Sequence, residues 1–162
     1  MARESQGITG QVVSWRPEFR SDFERLNREW IEGFFVMEEE DLKVLRDPEA
    51  AIVASGGEIF FVTQGEIVQG TCAVIRHDAE TYELAKMAVA PAARGRGYGD
   101  RLVEAAIAFA RGAGARRLML VSNTRLAPAL TLYRKHGFAP VPLDPANGYS
   151  RADIQLELSL DP

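Results

Sequence analysis

One cysteine and two histidines in 162 residues exclude a good deal. Cys72 has no partner for an internal disulfide, and with His77 and His136 it makes too sparse a set for a zinc site, so no metal chemistry is expected. Lying in an apolar, strand-like run, Cys72 is most simply a core residue. Long hydrophobic stretches are missing too. None approaches the ~20 residues of a membrane span, and the first fifteen residues, with Arg3 and Glu4, lack the continuous apolar core of a leader. A cytoplasmic protein with no membrane partner is expected. No Gly-Lys pair is followed by Ser or Thr, which argues against a nucleoside-triphosphate loop, and there is no repeat or low-complexity segment.

What is present suits one globular domain over residues 1–162, with 46% hydrophobic and 26% charged residues. The net charge of -4 hides a division. From Glu18 to Glu49 there are eleven acids against five bases, and from Lys86 to Lys135 ten bases against two acids. Individually, Glu38, Glu39 and Glu40 read as a solvated face. Taken together, the segregation suits a basic half that receives a polyanion and an acidic half that favours a cationic amine. Nucleic acid is not an expected partner, because the bases surround a loop and line no aromatic-studded groove. A homodimer is compatible with the sequence, which does not fix the oligomeric state.

Hydrophobic periodicity orders the elements. A strand is predicted over Ile8 to Trp15, and a helix follows Pro17 with apolar residues at Phe19, Phe23, Leu26, Trp30 and Phe34, where Ser21 and Glu24 could form a capping box. A short helix over Glu39 to Arg46 is limited by Pro48. Strands at Glu58 to Thr63 and Ile67 to Arg76 form a hairpin about Gln64-Gly65, and a third strand runs from Thr81 to Ala90. Then come a helix over Asp100 to Arg111, a buried strand over Arg116 to Val121, a helix over Thr124 to His136 and a return strand from Gly137-Phe138. A closing strand over Arg151 to Leu160 alternates Ala152, Ile154, Leu156, Leu158 and Leu160 with polar neighbours. This order predicts an α+β fold with a mixed central sheet. The loop Pro140 to Ser150 is long enough to border a site.

The most informative stretch is Arg94-Gly95-Arg96-Gly97-Tyr98-Gly99, between the apolar run Leu84 to Val89 and a helix. Glycines at alternate positions let the backbone approach a ligand, and the helix start aims free amides and a positive dipole end at the same place, so an anion is expected there. It is not a dinucleotide fingerprint: after Gly97-Tyr98-Gly99 the third required glycine is Leu102, and after Gly95-Arg96-Gly97 it is Asp100. A basic, glycine-rich surface turn remains the plain alternative for these residues taken alone.

The loop pattern Arg/Gln-x-x-Gly-x-Gly/Ala resembles the pyrophosphate loop of the GNAT superfamily of acyl-CoA-dependent N-acyltransferases. Two further segments stand in the order of that family, Glu83-Leu84-Ala85-Lys86-Met87-Ala88-Val89 before the loop, and Asn123 with Leu130-Thr131-Leu132-Tyr133-Arg134-Lys135-His136-Gly137-Phe138 after it. The resemblance covers residues 58 to 140 by motif and the rest by element order. It implies helices on both faces of the sheet and splayed middle strands that admit acetyl-CoA. It further implies that the main chain of Met87, Ala88 and Val89 binds the pantetheine arm and that the amides of Arg94, Gly95, Arg96, Gly97, Tyr98 and Gly99 bind the pyrophosphate, assisted by the charges of Arg94 and Arg96.

Acetyl transfer from a thioester to an amine needs a neutral amine, a stabilised oxyanion and a proton for the departing thiolate. By the resemblance, Tyr133 is the general acid, also touching the cofactor; otherwise it continues the apolar stripe of Leu126 and Leu130. Asn123 resembles the position that hydrogen-bonds pantetheine or orders water, with a plain turn residue as its alternative. Glu83 matches the base of the histone-acetyltransferase branch, although a solvent-facing strand-end Glu fits the sequence as well. Strand alternation predicts Glu83, Ala85, Met87 and Val89 on one face. The resemblance also implies that the oxyanion is stabilised by a main-chain amide near Val89. The resemblance implies an acceptor pocket bordered by Glu29, Trp30, Phe34, Phe35, Arg76, Tyr149 and Arg151, a mixture of aromatics and both charge signs that suits a small amine carrying its own carboxylate; core positions on the amphipathic stripe are the stronger reading for Trp30 and Phe34, and sheet-edge charges the alternative for Arg76 and Arg151. The resulting expectation is an acetyl-CoA-dependent N-acetyltransferase acting on a small, amino-acid-like amine by direct attack in a ternary complex. A protein or peptide acetyltransferase and a non-catalytic acyl-CoA-binding module are the alternatives.

Overall fold

A computed structural model of the chain describes residues 10–161. Seven strands form one sheet in the order β1-β2-β3-β4-β5-β7-β6. They are β1 (Gln11–Ser14), β2 (Glu58–Gln64), β3 (Ile67–Arg76), β4 (Thr81–Val89), β5 (Arg117–Ser122), β6 (Ala139–Val141) and β7 (Ile154–Ser159). Every pairing is antiparallel except β4 with β5. Helices cover both faces: α1 (Arg20–Phe34) and α2 (Glu39–Arg46) on one, α3 (Tyr98–Gly112) and α4 (Ala127–Lys135) on the other. The α+β fold with a mixed central sheet expected from the sequence is the one observed. Each face has its own core. Phe23, Leu26, Leu45, Ile52 and Phe61 pack on the α1/α2 side, and Leu84, Leu102, Val103, Ala106, Leu118 and Leu156 pack under α3 and α4.

Where predicted boundaries shift, local chemistry accounts for it. In the first strand, Ile8 and Thr9 lie outside the described residues, and pairing with β2 spans Gln11 to Ser14. Pro17 opens a 3-10 turn, Pro17–Phe19, that feeds α1 directly. Phe19 is therefore the N-cap and no side chain caps the helix, in place of the Ser21/Glu24 box. A capping box forms instead at α2, between Glu38 and Asp41. α4 starts at Ala127 and not Thr124, because the Thr124 amide and hydroxyl both donate to Asp153, at 2.8 Å each, and hold the approach as a turn. β7 begins at Ile154 and not Arg151, whose guanidinium is drawn out of line to Asp41. A π-helical turn over Glu49–Val53, which the apolar pattern did not indicate, buries Ile52.

The middle of the sheet is where the fold prepares a site. β4 and β5 pair only at Thr81↔Arg117, Tyr82↔Leu118 and Glu83↔Met119, then diverge. Just beyond, the β3–β4 register slips, with Ala73 opposite Ala85 but Thr71 opposite Ala88. Lys86 sits in this bulge at φ 54, a left-handed conformation that costs a side-chain-bearing residue about 1–3 kcal/mol. The extra residue reverses the alternation. Leu84, Met87 and Val89 pack on the α3/α4 side, whereas Lys86 reaches α2 and Ala88 joins the α1/α2 core. Glu83 and Met87 therefore do not share a face as simple alternation predicted; Glu83 lies with Ala85 on the α1/α2 side.

Lys86 is 7% exposed and Asp41 fully buried, and they meet at 2.7 Å. Arg151 closes on the same carboxylate through two bonds of 2.8 and 2.6 Å. One anion thus joins α2, β4 and the approach to β7. Burial pushes the Asp41 carboxyl up, but the Arg151 hydrogen bonds and the Lys86 charge and hydrogen bond, with the Glu38 amide, outweigh it and bring it from 3.8 to about 2. A lowered carboxyl contributes stability that is complete above its unfolded value and is lost as pH falls toward its folded one. Asp41→Asn should cost about 3 kcal/mol near neutrality by leaving Lys86 and Arg151 without their shared anion. Urea unfolding of parent and variant at a series of pH values should show the gap narrowing between pH 3.8 and about 2; a gap that stays constant through that range contradicts the assignment.

Candidate functional site

The divergence of β4 and β5 opens a cleft of about 690 Å³ that crosses the sheet from α1 to the glycine loop. Its walls are backbone as much as side chain. Beyond Glu83, the β4 edge that faces β5 has no partner strand, so amides and carbonyls of Ala85 to Val89 face the opening. Such an edge pairs with any extended chain that carries amides of its own.

At one end lies the cradle. Gly95 and Gly97 both adopt φ 80, and a Cβ built on either meets nothing within 4 Å, so the backbone is open to a ligand. Gly97 is the N-cap of α3, which leaves the first amides of that helix free and gathered about one point. Arg94, Gly95, Gly97, Tyr98 and Gly99 line the cleft. Arg96 does not: its guanidinium donates to Gln64 at 2.9 Å, and Tyr98 turns its ring inward, 3% exposed, with its hydroxyl 3.5 Å from the same Gln64. The two side chains anchor the loop to β2. Asp100, in the first turn of the same helix, is held by Lys135 and His136 at 2.8 Å each, and these hydrogen bonds lower its carboxyl.

Tyr133 reaches the cleft from α4, buried to 8% exposure and edge-on to Phe138 at 6.1 Å between centroids. Burial pushes its phenol up, so the proton stays on through neutral pH. Leu130 is buried beside it, so Tyr133 lies both on the helix's apolar stripe and at the cleft wall. Asn123 lines the cleft with its amide already engaged, Nδ2 donating to the Arg151 carbonyl at 2.7 Å and Oδ1 accepting from the Arg125 amide at 2.8 Å. Cys72 is fully buried, with Sγ donating to the Leu102 carbonyl at 3.6 Å, and burial keeps its thiol protonated.

The other end is walled by Trp30, Phe34, Phe35, Tyr149 and Arg151. Trp30 is set by Asn27, a buried side chain that donates to the Phe23 carbonyl at 2.9 Å and accepts from the indole at 3.1 Å. Glu29 and Arg76, expected at this wall, do not line it: Glu29 is on the exposed face of α1, and Arg76 lies over Gly56 at the far end of β3. Glu83 does line the cleft, and its Oε1 meets His77 Nε2 at 2.7 Å. That hydrogen bond raises the His77 imidazole above its ordinary value. Glu38, read from sequence as solvated, accepts from the Ser150 amide at 3.0 Å and from Arg151, fastening the Pro140 to Ser150 loop to α2.

Sequence reasoning missed Lys86, Asp41 and His77. Two signals were present, a lysine inside an apolar strand and an aspartate in helical phase with Leu45; His77 carried none.

Geometry and comparison agree on the class. Residues 55–140 match the family model described as an acetyltransferase (GNAT) domain, and the chain belongs to that family, whose members are acyl-CoA-dependent N-acetyltransferases. It is 35% identical over 81 residues to a mycothiol acetyltransferase of Corynebacterium glutamicum strain R; the match takes in 50% of this chain but 28% of that protein. In fold it is similar to a GNAT-family acetyltransferase of Staphylococcus aureus Mu50, at TM-score 0.85 and 16% identity, covering 94% of this chain and 99% of the other. It is similar also to yncA of Salmonella typhimurium, solved with its cofactor acetyl-CoA, at TM-score 0.76 and 18% identity, covering 94% of this chain and 95% of that one. Among the described residues no helix is long and apolar enough to cross a membrane.

Gly97→Glu should abolish CoA binding, since it forces a side chain into φ 80 and puts a negative charge where the helix amides converge. Gly97→Ala carries the strain without the charge and should retain part of the affinity. Calorimetry with CoA checks both, and undiminished affinity in a folded glutamate variant excludes the cradle.

Proposed function

We propose that the chain is a single-domain N-acetyltransferase that passes an acetyl group from acetyl-CoA to the primary amine of a small, amino-acid-like molecule by direct attack. The observation that carries this reading is the unpaired β4 edge leading from the glycine cradle to a cleft with Tyr133 on one side of the sheet and Glu83 on the other. The open amides and left-handed glycines fit a pyrophosphate joined to an extended amide-bearing arm. Met87, Ala88 and Val89 hold that arm through main chain, and Arg94, Gly95, Gly97, Tyr98 and Gly99 hold the phosphates, with Arg96 fixing the loop.

Acetyl-CoA supplies an activated acyl group and a thiolate that must be protonated on leaving. Tyr133 retains its proton and lies on the α3/α4 side, where it serves as the acid. Glu83, entering from the opposite side, takes the proton of an ammonium that approaches past Trp30 and Tyr149. Its hydrogen bond to His77 keeps one oxygen fixed and leaves the other for the amine. The sole cysteine is sealed in the core, which supports transfer without a cysteinyl intermediate. Asn123 contributes by holding the wall, with the pantetheine contact made by its neighbours.

Tyr133→Phe should leave CoA binding intact and lower turnover by about ten-fold or more, read as kcat against Kd. Turnover equal to the parent's reduces Tyr133 to packing. Glu83→Gln should shift the rising limb of the rate–pH profile upward, with activity recovering in alkali where the amine is already neutral. An unchanged midpoint removes Glu83 from the chemistry.

A further inference from the structure

Among the described residues four cations line the cleft, and three have a role in it already. Lys86 and Arg151 share Asp41, and Arg151 also lies 3.5 Å from Glu38, so these charges cancel within the wall. Arg94 belongs to the glycine cradle. Arg125 is left over. It is exposed on the turn after β5, pairs with none of the described carboxylates, and donates no hydrogen bond from its guanidinium to a described residue.

An aromatic ring holds it instead. The guanidinium lies over Phe35, 5.1 Å from the ring centroid, and that ring is itself met edge-on by Trp30 at 6.4 Å. A contact of this kind uses the charge and face of the cation and leaves the N–H donors in its plane for another group. The chain beneath is fixed as well. Thr124 donates twice to Asp153, the Arg125 amide donates to Asn123 Oδ1 at 2.8 Å, and the Leu126 amide donates to the Asn123 carbonyl at 2.9 Å. Arg125 is thus held at both ends with its fork unfilled, a state suited to a carboxylate, whose two oxygens match two parallel N–H groups. Across the splay, Glu83 keeps one oxygen on His77 and bonds no described residue through the other. An unpaired cation from the β5 side and a carboxylate from β4 therefore line one cleft, complementary to a molecule that bears both an ammonium and a carboxylate.

We propose that Arg125 is a specificity-determining residue that binds the carboxylate of the acceptor, so that the small amine is an amino acid whose ammonium end faces Glu83 and whose carboxylate end is gripped by the guanidinium on Phe35. The inference rests on the reading of this cleft as an acyl-transfer site for a small amine, and it adds the group that tells an amino acid from a plain amine. An ion pair on an open surface contributes little, in part because two long side chains must be ordered to form it. Here the ring and the pinned turn restrict the arginine before the ligand arrives, and that part of the cost of binding is reduced.

The test uses the full chain with acetyl-CoA and follows thiol release with leucine, β-alanine and 4-aminobutyrate, each against its own carboxamide, so that the amine is kept and the anion removed at different spacings. At the spacing the cleft accepts, the acid should exceed its amide in kcat/KM by roughly tenfold. Arg125→Met, with folding checked by circular dichroism, should remove that preference by raising KM for the acid, while calorimetry shows CoA still bound. Arg125→Lys keeps the charge without the fork and should keep part of the preference. If no acid exceeds its amide, or if the preference survives Arg125→Met, the assignment of Arg125 is overturned and acyl transfer stands. Loss of CoA affinity in folded Arg125→Met gives the guanidinium to the cofactor's phosphates and overturns the assignment equally. Thiol release with none of the amines overturns acyl transfer to small amines itself, and the Arg125 assignment with it.

Discussion

The Asp41 carboxylate is the constraint on which the cleft depends. It is buried, and it binds one cation from the central sheet and another from the approach to the last long strand. Such a cluster is a poor source of net stability, because desolvating three charges offsets most of their attraction. Its geometric demand is strict: α2, β4 and the loop before β7 must meet at one point, and each supplies a group that is costly to leave alone. Apolar packing in the same place could slide; bidentate Arg151 on a fixed carboxylate cannot.

The β4 bulge acts in concert with that cluster. A regular strand would carry residue 86 to the opposite face and continue the β5 pairing toward the glycine loop. With Lys86 left-handed, its ammonium is delivered to Asp41 and the alternation reverses, just beyond the point where the β4–β5 ladder ends after three pairs. The ion pair and the open edge thus lie side by side on β4, three residues apart.

Much of this was legible in the sequence. Periodicity located α2 and β3 to the residue, and the glycine loop with the segment ending Gly137-Phe138 identified the family. The cradle is local, carried by residues adjacent in the chain, and so could be read directly. The opposite wall of the cleft is not. Its partners at positions 41, 86 and 151 come together only when three distant elements fold, and the alternation rule that placed Glu83 beside Met87 fails at a bulge it has no means of anticipating. Boundaries slipped for a related reason: Thr124 and Arg151 are held by side chains far away in sequence, Asp153 and Asp41, which outweigh their own helical or extended preference.

Arg151 has a double attachment, its carbonyl held by Asn123 on the α4 side of the cleft and its guanidinium by Asp41 on the α2 side. A single residue thereby belongs to both walls of the cleft. Replacing it disturbs both walls at once. Phe34, exposed at the end of α1, lines one wall only. The rim of the cleft can therefore change without loosening the junction of its two halves.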